Sequence, residues 1–273
     1  MGAAAIRRSR DVLRVAGPDA RTYLQGQLSQ DVDALAVGSA ADTFVLQPTG
    51  KVEAWMRITR LADDAYLLDV DPGWGEAVLT RLTRFLLRTD CVVEAVAWQM
   101  VTVLDAETWE PPADGVALPV VWPGLLAVDL LGPSVDLPEG LVEADESTWE
   151  HRRIAAGIPA MGTEMDETTI PGATGVVDRS ASFTKGCYTG QELVARVDSR
   201  SAGTPTRIHR AVGHGSPPSA GMELTLDGAV AGRLTSVAAG SDGGFVALAE
   251  VRRTVVAPAT VDADGVEVSL LAD

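Results

Sequence analysis

The chain has little with which to bind a metal or build a disulfide framework. Its two cysteines, Cys91 and Cys187, and its three histidines, His151, His209 and His214, are scattered through 273 residues. No pair has zinc-ligand spacing, and one thiol cannot hold an iron–sulfur cluster, which wants about four thiolates. Basic residues are also scarce, 22 against 38 acidic ones for a net charge of −16. That balance argues against direct binding to nucleic acid, which needs a basic surface, but leaves room for a small anion in a local arginine pocket. No apolar run approaches membrane-spanning length, and the start lacks the apolar core of a signal peptide. Phosphate-loop and dinucleotide fingerprints, internal repeats and low-complexity tracts are missing too. Ser182 and Cys187 have no evident histidine partner, so a nucleophilic hydrolase has little support. The expectation is a cytoplasmic protein without metal or membrane; 46% hydrophobic residues make it globular.

What is present reads as α+β. Val12 to Val15 alternates like a strand, and Asp19 can cap a helix carrying Tyr23, Leu24 and Leu28 on one face. A turn at Gln47 to Gly50 joins two strands, the second running from Val52 to Leu61, and Tyr66 to Val70 is another. Trp74, Val78, Leu82, Phe85 and Leu86 have helical spacing. Cys91, read as core, heads a strand from Val92 to Val103. The order strand–helix–strand–strand–helix–strand is that of a split βαβ or ferredoxin-like unit. Pro111, Pro112 and Pro119 break the chain; Leu125 to Leu131 reads as a buried strand. Ser147 to Glu150 has capping-box spacing before a helix that stops at Gly157. Residues 161–182 form a long aperiodic loop, and long loops are often functional. Ser199 to Thr206 reads as a linker. Beyond it, short strands separated by turns such as Asp227-Gly228 predict a small barrel.

One stretch carries chemistry: Ser182 to Arg196, with Lys185-Gly186-Cys187-Tyr188-Thr189-Gly190-Gln191-Glu192 at its centre. Thr189 and Glu192 have capping-box spacing, so Cys187 stands just ahead of a helix start. The helix dipole and Lys185 both favour the thiolate, while Glu192 offsets part of that effect. The competing reading of Cys187 is an inert, half-buried residue in a turn. Arg196, Arg200, Arg207 and Arg210 make a basic island in an acidic protein. They are either a solvated helix end or a seat for a polyanionic tail.

The central block resembles the signature of the YgfZ family of folate-binding proteins. These are relatives of the aminomethyltransferase (T-protein) of glycine cleavage and of mitochondrial iron–sulfur assembly factors. Gly17-Pro18-Asp19 with Tyr23-Leu24-Gln25-Gly26-Gln27-Leu28 is similar to the family's N-terminal block. Gly50-Lys51-Val52, Arg152 to Pro159, and Gly232 with Thr235-Ser236 also fall where the family has them, so the resemblance covers nearly the whole chain.

The resemblance implies an α+β, folate-binding aminomethyltransferase-like fold. Residues 1–203 would form two ferredoxin-like subdomains and residues 204–273 a C-terminal β-barrel, with tetrahydrofolate, or a one-carbon derivative, in the central hole. It implies Glu192 as the carboxylate for the pterin, Tyr188 as a pocket wall, and Gln191, Gln25, Gln27 and Arg196 at the ligand's polar ends. The T-protein's catalytic acidic pair falls on Ala54 and Trp55, and Glu53 should point to the opposite face of its strand. With no acid there, aminomethyl transfer is disfavoured, and Cys187, aided by Lys185, is the reactive residue instead. The function implied is assembly or repair of iron–sulfur client proteins, supporting tRNA modification indirectly. The alternative is a folate-dependent one-carbon transferase or demethylase, and whether the protein turns over a substrate is left open.

Overall fold

The computed structural model describes residues 4–198, 203–240 and 243–272. In chain order its elements are β1 (Ala4–Arg8), β2 (Asp11–Ala16), α1 (Ala20–Gln27), β3 (Ala40–Leu46), β4 (Val52–Ala62), β5 (Ala65–Val70), α2 (Gly75–Thr83), β6 (Val92–Val96), β7 (Gln99–Leu104), β8 (Val116–Trp122), β9 (Leu125–Gly132), β10 (Val142–Glu143) and α3 (Glu146–Ala156). A short helix α4 (Val177–Ser180) and α5 (Gln191–Asp198) follow. The last strands are β11 (Thr206–His214), β12 (Glu223–Leu226), β13 (Ala229–Ala239), β14 (Gly244–Arg252), β15 (Ala259–Ala263) and β16 (Val266–Leu270).

The first sheet has the order β3-β4-β5-β2-β6 and the second β10-β1-β7-β9-β8. Alternation along each strand sorts residues between faces. Leu13, Val15, Ile58, Tyr66 and Leu68 of the first sheet pack against Tyr23 and Leu24 of α1 and Val78 and Leu82 of α2. The opposite face turns toward the second sheet, where Phe44, Leu46 and Trp55 meet Ile6, Leu104 and Leu125. Val12 and Leu67 meet Met100 and Leu131 in the same layer. The two sheets therefore share an inner layer, and helices cover the outer face of the first.

That inner layer is partly ionic. Arg57 on β4 pairs directly with Asp69 on β5, and Thr102 on β7 with Asp129 on β9, each across its own sheet. Arg57 then crosses the gap: its Nε donates to Asp69 at 2.8 Å and its Nη1 to Asp129 at 2.7 Å. Arg10 bonds Asp69 and Asp71 on the same layer.

The split-βαβ reading needs correction at several points. The first sheet carries one strand more than that order provides, because the β3–β4 hairpin precedes β5. The single strand expected over Val92 to Val103 is two strands in different sheets, since Trp98 N–H turns back to the Val96 carbonyl at 3.0 Å. Strand β1, absent from the sequence reading, lies inside the second sheet. Pro119 does not break the chain but sits in β8, an edge strand, where a missing N–H is tolerated. Asp19 makes no side-chain cap for α1; its carboxylate takes the Asp90 N–H instead. The cap of α3 is Asp145, which accepts from Thr148 N–H and from the Ser147 hydroxyl, while Gly157 ends the helix in the left-handed region as expected. Cys91 is only half-buried, against the helix-side core.

The C-terminal strands close a barrel in the order β11-β14-β13-β12-β15-β16, with β11 and β15 additions to the expected strands. Helix α3 joins it to the sheets: Arg153 donates to Ile158 O and Ser236 Oγ and pairs with Glu164, all buried. Part of the expected linker, residues 199–202, lies outside the described residues.

Removing one partner from a buried ion network strands the others, which costs about 3–5 kcal/mol. Arg57→Met should lower unfolding stability by about that amount in urea titrations, because Asp69 and Asp129 lose their shared cation. Adding Asp129→Leu to it should recover part of the loss.

Candidate functional site

Where the inner layer is not filled, the sheets and α3 enclose a cavity of about 300 Å³ that opens to solvent. Small-molecule sites begin near this volume. Trp55, Trp122, Trp149, Met56 and Met161 supply its apolar lining. Trp55 and Trp122 meet edge-to-face, with ring centroids 6.3 Å apart. Trp55 donates its indole N–H to Ser180 Oγ at 2.9 Å, which ties β4 to α4. The Arg8 guanidinium lies 3.5 Å from the Trp149 ring centroid, and Arg179 lies 3.5 Å from that of Trp122.

A bulge explains which residues reach this cavity. Val45 pairs with Ala54 and Leu46 with Val52, so Glu53 is an extra residue on β4. Trp55 faces the cavity, whereas Glu53 lines a separate groove with Arg81, Arg84 and Phe85 of the α2 side. Ala54 is buried under the helices.

The electrostatics of the inner layer follow from burial. Burial would raise the Asp129 carboxyl, but Arg57, Arg8 and the Thr102 hydroxyl outweigh it and hold it below the usual range. Burial pulls the Arg8 guanidinium down to about 10 against the attraction of Asp129. For Arg57 burial is outweighed by Asp69 and Asp129, and its value rises. Asp42 goes the other way: burial lifts its carboxyl, against the pull of Arg179.

The Lys185–Glu192 segment is elsewhere on the molecule, folded over the end of α1. Lys185 Nζ donates to the carbonyls of Gln25, Leu28 and Gln30 at 2.6–2.8 Å, capping the C-terminal end of that helix. Burial pushes its ammonium down to about 8. Its Nζ also lies 5.0 Å from the Tyr188 ring centroid. Thr189 N–H donates to Gly26 O, so the segment touches the N-terminal motif at two places. Gly190 has φ +82° and abuts the Gln47–Gly50 turn, where an added Cβ would come within 2.6 Å of the Gln47 carbonyl.

Of the residues expected at the site, Tyr188 is buried in the same core as Trp55 and Trp149. Cys187 is exposed. Glu192 is exposed in the first turn of α5, which starts at Gln191, and Thr189 is therefore not its capping residue. Gln191 Oε1 accepts from Tyr188 N–H at 3.3 Å. Gln25 is spent on Asp31 and Val32, and Gln27 accepts from Arg81. The Arg196 side chain lies outside the described residues, as does Arg200. Arg210 packs against Gly157, apart from the α1 motif. The structure thus brings Lys185, Cys187, Tyr188 and the Gln25–Gln27 block together, but none of them lines the central cavity. Sequence reasoning missed the cavity's charged residues, Arg8, Asp42, Arg57, Asp69 and Asp129. The signal was polar residues at alternate positions in otherwise apolar strands.

Among the described residues no helix is long and apolar enough to cross a membrane, and no group of three or more His, Cys, Asp or Glu is placed to hold a metal ion.

The fold is that of the aminomethyltransferases. The chain superposes on the glycine cleavage system aminomethyltransferase T of Bartonella henselae with a TM-score of 0.84, covering 99% of this chain and 85% of that one at 18% identity. No family model matches the chain. An uncharacterized Haemophilus influenzae protein is 31% identical over 198 residues, 70% of this chain and 67% of its own length. The tRNA-modifying protein YgfZ of Klebsiella pneumoniae is 27% identical over 248 residues, 78% of this chain and 72% of its own. A mitochondrial iron–sulfur cluster assembly factor homologue of Pyricularia oryzae is 28% identical over 209 residues, 71% of this chain. The chain spans between 53% and 72% of the length of these relatives. Within the aminomethyltransferase fold, the chain belongs to the YgfZ family.

Two outcomes follow from this geometry. Asp129 binds its proton more weakly folded than unfolded, where a carboxyl titrates near about 4. Its contribution to stability is therefore whole above that pH and is lost as pH falls through its lower folded value; Asp129→Asn should flatten the acid limb of a stability–pH profile. Gly190→Ala should cost about 1–3 kcal/mol, since both its backbone conformation and the Gln47 contact forbid a side chain. Chemical denaturation would read that loss.

Proposed function

We propose that this protein binds a reduced folate in the central cavity and acts in the assembly or repair of iron–sulfur proteins, thereby supporting tRNA modification, with Cys187 as its reactive thiol. The observation that carries the reading is the tryptophan-walled cavity between the two sheets, on a fold shared with an aminomethyltransferase. The residues present fit a folate. Trp55, Trp122 and Trp149 offer flat walls to a pterin or a p-aminobenzoyl ring, and Arg8, Arg57 and Arg179 are each fixed by partners before a ligand arrives. A reduced folate carries one-carbon units when bound. Trp55 occupies the place expected for the transferase acid, and its indole N–H is spent on Ser180, so this position provides walling and no proton transfer.

The thiol works from the outer face. On this reading Lys185 positions Cys187 by pinning the loop to α1, and Tyr188 holds the loop's other side in the core shared with Trp55. The exposed Glu192 stands beside it on this outer surface, where an iron–sulfur client meets the exposed thiol. The names of the relatives, a tRNA-modifying protein and an iron–sulfur assembly factor homologue, support that assignment.

Complementation tests it. In a strain lacking its YgfZ, wild type should restore iron–sulfur enzyme activity, and Cys187→Ala should fail at equal protein level and melting temperature. Full restoration by Cys187→Ala would remove the thiol from the function.

A further inference from the structure

One carboxylate on the lining of the central cavity keeps an oxygen that no described protein group donates to. Four carboxylates on its lining are engaged at both oxygens. Asp69 takes Arg10 and Arg57; Asp71 takes Arg10 and Met161 N–H; Asp129 takes Thr102 and Arg57; Glu150 takes Arg153 on each oxygen. The same bonds engage Arg10, Arg57 and Arg153, while Arg8 places Nη1 on Thr102 and Asp129 and its plane on the Trp149 face. Two lining carboxylates remain. Glu146 is exposed in the first turn of α3, where water satisfies it. Asp42 is different: its side chain is only 18% exposed, and it makes one side-chain bond, from Arg179 Nε to Oδ2 at 2.6 Å.

Asp42 is also held in place. It lies opposite Arg57 in the β3–β4 pairing, which puts it on the inner face. Its partner Arg179 is stacked on Trp122, and Trp122 stands edge-on to Trp55. A carboxylate oxygen has two acceptor sites, so Oδ1 is wholly free and Oδ2 keeps one. Oδ1 is not among the fully buried atoms left without a partner, so it is open to the cavity, where a ligand donor can take the place of water.

We infer that Asp42 is the specificity-determining acceptor of the cavity. It receives two adjacent donors on the edge of a flat heterocycle, a ring N–H beside an exocyclic amino group, with the tryptophans as walls. The 2-aminopyrimidinone edge of a pterin presents that pair. The assignment rests on the folate reading above and moves the pterin acceptor from Glu192 to Asp42. Because the lining holds no unpaired cation among its described residues, the ligand's acidic tail is left at the solvent side. A ligand end bearing donors is favoured there over a carboxylate end.

The test compares two probes on the intact chain by tryptophan fluorescence or calorimetry: tetrahydropterin, and its tetrahydrolumazine analogue with the 2-amino group replaced by oxygen. A site that hydrogen-bonds an amino group rejects the analogue lacking it. Wild type should prefer the amino probe by at least about tenfold. Asp42→Asn should lose most of that preference by weakening the amino probe alone, while Glu192→Gln keeps it, as does 5-formyl-tetrahydrofolate binding by Glu192→Gln. A wild type that binds both probes equally would overturn the inference and needs no variant to fold. An unchanged preference in folded Asp42→Asn would overturn it too, leaving the folate reading intact. Failure of wild type to bind either probe or 5-formyl-tetrahydrofolate would overturn both.

Discussion

Arg57 is the residue on which the arrangement of the two sheets depends. It sits between a carboxylate of its own sheet and one of the sheet opposite, and it is the described side chain that hydrogen-bonds to both Asp69 and Asp129. A buried ion network adds little net stability over apolar packing, but breaking it is expensive. Its consequence is selective: only the facing that brings Asp129 to Arg57 satisfies both sheets. The same ionic layer keeps the sheets from closing into a continuous apolar sandwich, and the space left beside it is the tryptophan-lined cavity. Packing, charge and cavity are therefore one feature.

Two surfaces emerge at different depths. The cavity is walled by strands and α3, rigid elements whose side chains are already paired, so it is preorganised for a ligand. The Cys187 loop is external and depends on Lys185, three backbone carbonyls and the close approach of Gly190 to the Gln47–Gly50 turn. The buried Tyr188 connects them, since it belongs to the core that also contains Trp55 and Trp149. Helix α3 extends the connection to the barrel through Arg153, which reaches both Glu150 near the cavity and Ser236 on β13.

Local signals were legible where the cause was local. The left-handed stop at Gly157, the apolar face of Tyr23, Leu24 and Leu28, and the barrel hairpin at Asp227-Gly228 each follow from a few neighbouring residues. The turn at Trp98 was not legible, because a mostly apolar run without glycine or proline reads as one strand whether or not its halves serve different sheets. The Asp145 cap was displaced by two residues from the Ser147 reading, since aspartate and serine compete for the same N–H groups. The cavity was hidden because β1, β3, β4, β5, β8, β9 and α3 each bring between one and four residues to it, and no stretch of chain displays the set.

By itself the sequence determined the family, the α+β class with its C-terminal barrel, and the single thiol on a glycine-flanked loop. Those are carried by contiguous motifs and by the alternation of side chains along individual strands. Tertiary structure alone decided that the block around Cys187 and the tryptophan cavity are separate places, that Lys185 caps a helix, and that Asp42 is the half-buried cavity carboxylate with an oxygen to spare. The reason is physical: whether a polar group is satisfied depends on which distant residues surround it, and that is written in the packing of the sheets rather than in any one segment.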